Sequence, residues 1–269
     1  MKLVLAISAA VTHDPERVAE LVETVAELLR DGHRVAIIHG CGDQNSRLTT
    51  SPYCDLVGRN GDSVGRVDGA AAASLADGIG IEARSLSVRL NAARIHSMAL
   101  CGSDAGICRI RKKIEDRNKS TEIEICAVET RWIEIICANG GVPVVSSSLL
   151  TTSGDFYRVD PSYLAARCAI SWNADLLTYL IAEDGVIDPC GAVVRWLEAE
   201  DIDRLPRNPE NKSLIAILKL CKEALRGGVQ RARLLPVSRV NCLPHFYVCR
   251  IEYGTEVILN FGHDSLKPA

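Results

Sequence analysis

The chain has no C-x-x-C pair, no marked excess of one charge and no apolar run long enough to cross a membrane, and each absence removes a class of protein. Its eleven cysteines are odd in number and scattered from Cys41 to Cys249, which argues against a disulfide framework or a zinc ribbon. Cys126, Cys137, Cys168 and Cys249 lie in apolar runs and read as small core residues. A reducing, cytoplasmic setting is expected. A net charge of −3 over 269 residues gives no pull towards nucleic acid or an anionic membrane. The one basic stretch, Arg109 to Lys113, is followed at once by acidic residues and reads as a solvated connection. There is no internal repeat and no low-complexity tail.

What is present is an apolar fraction of 47%, enough for a sizeable core, laid out as alternating strands and helices. Residues 2–8 read as a buried strand rather than a leader, because "THDPE" behind them is a helix start: Thr12 or Asp14 caps, Pro15 fits the first helical position and Glu16 suits the dipole. An amphipathic helix over 14–30 buries Val18, Leu21, Val22, Val25, Leu28 and Leu29; Gly32 ends it, and a strand over 34–38 follows. This is a βαβ unit with parallel strands. The second strand breaks into His39-Gly40-Cys41-Gly42, a glycine turn at a carboxyl edge, where α/β sheets bind ligands.

Further along, 43–67 reads as a loop or hairpin, and 68–95 as two helices broken at Gly78 and Gly80. Strands are expected over 96–101, 122–128, 141–148, 175–181, 231–236, 245–250 and at the terminal "GTEVIL", with helices over 129–139, 162–172 and 211–225. The expected fold is a three-layer αβα sandwich around a mainly parallel sheet.

The order of motifs then becomes recognisable. "RVAIIHGCG", "GRVDGAAAASL", "ALCGSDAG", "NGGVPVVSS", "CKEALRGGVQRARLL" and "GTEVIL" follow one another as their counterparts do in the amino acid kinase superfamily, and the chain resembles its acetylglutamate kinases most closely. The resemblance spans nearly the whole length. It implies an N-terminal, substrate-side lobe over 1–170, a nucleotide-side lobe over 171–269, one continuous sheet, and a homodimer through a helix of the first lobe. It also implies transfer of the ATP γ-phosphoryl group to a small acid, which is mostly positioning and charge neutralisation by two lysines.

Those lysines are missing. Ala6 aligns with the first and Ile217 with the second; Ser8 and Ala9 replace two glycines; Asp160 stands at the substrate asparagine and Ser162 at the lysine-ordering aspartate. Ser103 replaces a further lysine, and Ile181-Ala182 replaces the Thr-Asp of the nucleotide side. Asn173-Ala174-Asp175 follows its helix instead of opening it and reads as a helix-to-strand turn. Arg66 survives, aligned with the arginine that grips a substrate carboxylate. Substrate contacts are therefore expected from Arg66, Gly40, Gly42 and Ser8, and chemistry, where there is any, from Cys41, His39, Asp160 and Ser162. Asp160 favours an amine or hydroxyl over a carboxylate.

Three readings follow. The first is a kinase-fold enzyme with other chemistry on an amino-acid-like carboxylate. The second is a silent binding homologue. The third is a divergent kinase using Arg47, Lys219 or Lys222 as substitute cations. No cofactor is expected in the first two; ATP and magnesium belong to the third. No nucleic-acid or membrane partner is expected.

Overall fold

The computed structural model describes residues 1–7, 9–40, 64–67, 70–113, 122–150, 156–206, 211–247 and 253–259. The first strand, β1 (Lys2–Ile7), is buried from Leu3 onward. A short turn of helix, α1 (Ala9–Thr12), leads to α2 (Pro15–Arg30). Asp14 caps α2, its Oδ1 accepting from the Glu16 N–H at 2.9 Å and the Arg17 N–H at 3.4 Å, with Pro15 at the first helical position. Val18, Leu21, Val25 and Leu28 form the buried stripe. The chain turns through Gly32, at φ 78°, into β2 (Arg34–His39). β2 pairs parallel with β1 in register from Lys2↔Arg34 to Ile7↔His39.

The remaining elements are β3 (Val64–Val67), α3 (Ala70–Ala92), β4 (Ser97–Cys101), β5 (Cys108–Lys113), β6 (Glu122–Val128), α4 (Arg131–Ala138), β7 (Val142–Ser146) and β8 (Ser148–Leu150). After them come β9 (Phe156–Val159), α5 (Pro161–Trp172), β10 (Leu176–Ile181), β11 (Trp196–Glu198), α6 (Lys212–Arg226), β12 (Arg231–Pro236) and β13 (Thr255–Ile258). Eight strands make one sheet in the order β11-β13-β12-β10-β1-β2-β7-β4, and the six from β12 to β4 are all parallel. β13 runs antiparallel to β12.

Alternation along β1 sends its side chains into two cores. Leu3, Leu5 and Ile7 pack with α2, α3 and the 3-10 segment Val237–Tyr247; Val4 and Ala6 pack with α4, α5, α6 and the β5–β6 hairpin. The result is the expected three-layer αβα sandwich. β2 lies on one side of β1 and β10 on the other, so strand order reverses at β1, and the crevice outside its carboxyl end is the place such a sheet offers a ligand.

Several expectations need correction. α3 is one continuous helix through Gly78 and Gly80. The basic stretch from Arg109 is not a connection but β5, a strand paired with β6. Residues 237–247 form a 3-10 helix where a strand from 245 was expected, and 248–250 lie outside the described residues. Cys126 is exposed, whereas Cys137 and Cys168 are core residues as expected; Cys249 lies outside the described residues. Strands β3, β8 and β9 form a second, three-stranded sheet, in the order β3-β9-β8. The turn expected at Asn173 is present: Asn173 closes α5 at φ 50°, and the Ala174 N–H returns to the Ala169 carbonyl at 2.9 Å.

Candidate functional site

The carboxyl ends of β2 and β7 and the start of α5 are stitched together by main-chain bonds. The Ser147 N–H donates to the His39 carbonyl at 3.1 Å, and the Val159 N–H donates to the Ser147 carbonyl at 2.9 Å. One residue after Val159, Asp160 caps α5: its Oδ1 accepts from the Ser162 N–H at 2.8 Å and the Tyr163 N–H at 3.1 Å. Gly40 touches the same corner. A Cβ built there would lie 2.2 Å from Pro161 Cγ, so the missing side chain makes room for the first residue of the helix.

β3 brings Arg66 towards this corner. It pairs antiparallel with β9 in the register Arg66↔Tyr157, three residues before Asp160, and Arg66 is placed by its backbone. Thus the backbone of His39 and Gly40 meets the start of α5 with Asp160 and Ser162, while Arg66 is placed only by its register on β9. Cys41, Gly42 and Ser8 lie outside the described residues.

The two lysine positions of the resemblance are apolar and packed. Ala6 is 6% exposed and belongs to the core beneath α5; Ile217, on α6, packs partly buried against the same core. Ala6 is in register with Tyr179 of β10, a residue sequence reasoning missed. Tyr179 is fully buried, and its hydroxyl donates to the Ser162 carbonyl at 2.9 Å. Burial holds its phenol well above the usual tyrosine range, so it stays neutral. A neutral hydroxyl-to-carbonyl bond therefore joins Tyr179 to the ordering-aspartate position, in register with the first lysine position.

Of the substitute cations, Lys222 is already engaged by acids. The Lys222 ammonium is nearly buried and lies 3.2 Å from both Glu200 Oε2 and Asp203 Oδ2, while Arg226 pairs with Glu200 at 2.9 Å. Lys219 lines a cleft of about 220 Å³ with Asp203, Lys222 and Arg226 on the α6 side. Arg47 lies outside the described residues.

His39 is wholly buried and faces the α2–α3 layer. Its Nε2 lies 3.4 Å from Thr12 Oγ1 and 3.4 Å from Glu82 Oε2. Burial first, then the neighbouring His13, pulls its pKa down to about 4, so the ring is neutral at pH 7. Glu82 was another omission: it sits in the Ala- and Ser-rich run of α3, where a single acid reads as a solvated face. Among the described residues no group of three or more His, Cys, Asp or Glu is arranged to hold a metal.

Residues 1–235 match the model of the Amino acid kinase family. The chain belongs to that family. The acetylglutamate kinase of Acidobacterium capsulatum is 34% identical over 263 residues, covering 96% of this chain and 99% of that one. That of Koribacter versatilis is 32% identical over 259 residues, with 96% and 99% covered. In three dimensions, N-acetylglutamate synthase from Neisseria gonorrhoeae, solved with coenzyme A and N-acetyl-glutamate, superposes with a TM-score of 0.75 at 19% identity. The match covers 96% of this chain but only 59% of the synthase. Isopentenyl phosphate kinase from T. acidophilum superposes with a TM-score of 0.61 at 13% identity, covering 96% of this chain and 100% of that one. At these identities the structural likenesses speak for the amino acid kinase fold alone.

Proposed function

We propose that this amino acid kinase family member binds a small amino-acid-like carboxylate at the carboxyl edge of its sheet and does not pass phosphate to it from ATP. The observation that carries the reading is the uncharged pair Ala6 and Ile217, backed by the Tyr179–Ser162 bond. A triphosphate needs several cations around it. At this corner the first free N–H groups of α5 are already taken by a carboxylate, that of Asp160.

In this reading Arg66 grips the ligand carboxylate, with Gly40, Gly42 and Ser8 lining the edge. Asp160 selects an ammonium or hydroxyl. Cys41, His39, Asp160 and Ser162 are the groups assigned to any chemistry. The substrate half is residues 1–170 and the former nucleotide half 171–269. A catalytically silent binding protein fits the same geometry. The divergent active kinase remains the second reading because the relatives at 34% and 32% identity bear the name acetylglutamate kinase over 96% of this chain; it would bring ATP and magnesium with it, and a place in amino acid biosynthesis.

A cytoplasmic homodimer belongs to the same proposal. α3 exposes Ile81 and Val88 seven positions apart on one side, and the edge strand β4 exposes Met98 beside it.

Titration calorimetry with N-acetyl-L-glutamate and with L-glutamate tests the ligand. One of the two is expected to give saturable heat, and Arg66→Ala to weaken it by roughly tenfold to a hundredfold, the worth of a charge-assisted bidentate contact. No heat with either compound, or equal affinity in Arg66→Ala, would contradict the proposal.

A further inference from the structure

The carboxylate of Glu82 lies between two imidazoles. His13 Nε2, at the start of α2, is 3.3 Å from Oε1, and His39 Nε2, at the end of β2, is 3.4 Å from Oε2. Glu82 is 19% exposed, and its Oε2 is buried without a hydrogen-bond partner among the described residues. The same is true of His39 Nδ1, on a ring with no exposed surface. Among the described residues, the groups facing that ring from other elements are Thr12, His13 and Glu82. Its register neighbours, Ile7 on β1 and Ser146 on β7, carry no charge.

A neutral imidazole carries a single N–H. On Nδ1 that proton would be a buried donor with no acceptor, at a cost of about 1–3 kcal/mol, and the Nε2 lone pair would face a carboxylate. On Nε2 it faces both Thr12 Oγ1 and the negative charge of Glu82. We propose that Glu82 is a positioning residue: its carboxylate keeps the His39 proton on Nε2, so that Nδ1, without a partner among the described residues, is a proton acceptor at the carboxyl end of β2, one residue from Gly40. A carboxylate that sets the tautomer of an imidazole this way prepares the opposite nitrogen to accept. The ring has no exposed surface and lies on the α2–α3 side of the sheet, opposite α5 and the Asp160 cap. Contact of Nδ1 with an N–H or O–H of a bound molecule rests on the carboxyl edge being the ligand site; the tautomer does not.

Nitrogen-15 NMR of the histidine side chains in the full chain at pH 7 tests the assignment. Wild type is expected to show His39 as a single neutral Nε2–H tautomer. Glu82→Gln is expected to lose that single state to a mixture, and Glu82→Asp, which keeps the charge, to retain it. An Nδ1–H tautomer or an imidazolium in wild type overturns the proposal, and the wild-type spectrum is decisive by itself if Glu82→Gln does not fold. A Glu82→Gln spectrum identical to wild type at His39, or Glu82→Asp behaving like Glu82→Gln, overturns it as well. N-acetyl-L-glutamate added as a probe separates the two claims: a correct tautomer whose Nδ1 signal the probe leaves unmoved supports the role of Glu82 and counts against the ligand site instead.

Discussion

Gly40→Ala is expected to lower the thermal midpoint by about 6–12 °C. The added Cβ would meet Pro161 Cγ at 2.2 Å, Cβ at 2.5 Å and Cδ at 3.1 Å. These are ring atoms of the first residue of α5, closed on the backbone, so no rotamer change moves them aside. Either Pro161 shifts with the cap behind it or the end of β2 does. Overpacking on this scale costs about 3 kcal/mol, and each kcal/mol moves the midpoint of a domain near this size by about 2–4 °C. Gly80→Ala is the control: it lies inside α3, its Cβ would meet nothing within 4 Å, and alanine there is expected to be neutral or stabilising by up to about 1 kcal/mol. Scanning calorimetry reads both. A Gly40→Ala midpoint within about 2 °C of wild type would show that Gly40 is not needed for the helix to dock, and would return the glycine to a ligand-contacting role.

Acid is expected to destabilise the fold through His39 by about 3 kcal/mol. The folded-state pKa is about 4, against 6.5 for the free side chain, so the unfolded chain takes up the proton first as pH falls. His39 therefore contributes its full stability above pH 6.5 and loses it progressively as pH falls from 6.5 to about 4. The size follows from about 1.4 kcal/mol per pH unit across that interval, for a residue with no exposed surface. Urea titrations across this window are expected to show a steeper slope in wild type than in His39→Gln, where His33, also lowered by burial, still contributes. Equal slopes would mean that the ring accepts a proton in the folded state at no cost, and that Glu82 compensates its burial.

The sandwich was legible because its long elements are strongly periodic. α2 carries an apolar face at helical spacing and an Asp14-Pro15 start, and the structure has both. Asp160-Pro161 is the same signature, yet its match to a substrate asparagine points to ligand chemistry and away from the cap that Asp160 makes. Short strands were illegible. β3, β8 and β9 have three or four residues each, too few for a period-two pattern, and they are specified by one another rather than by their own sequences. β5 was hidden by its charges: Arg109 is exposed and pairs with Glu129 at 3.6 Å, although Cys108 and Ile110 of the same strand pack on the core, so an alternating strand looked like a solvated linker. α3 continues through two glycines because Ala83, Leu86 and Leu90 bury its face regardless of local propensity.

At the candidate site, Ala6, Ser162 and Ile217 could be set against the charged positions that the resemblance implies. What surrounds those positions in space could not be read. Tyr179 sits in an apolar run, "LLTYLI", and only the register shows it beside Ala6. Lys222 looked available in sequence; in space it is committed to Glu200 and Asp203.

The most direct test of the account is calorimetric titration of the full chain with magnesium-ATP. With Ala6 and Ile217 apolar and the α5 cap taken by Asp160, no saturable heat is expected, meaning a Kd weaker than about 1 mM. Saturable binding in the micromolar range would contradict it and would establish that cations from elsewhere in the chain rebuild the nucleotide site.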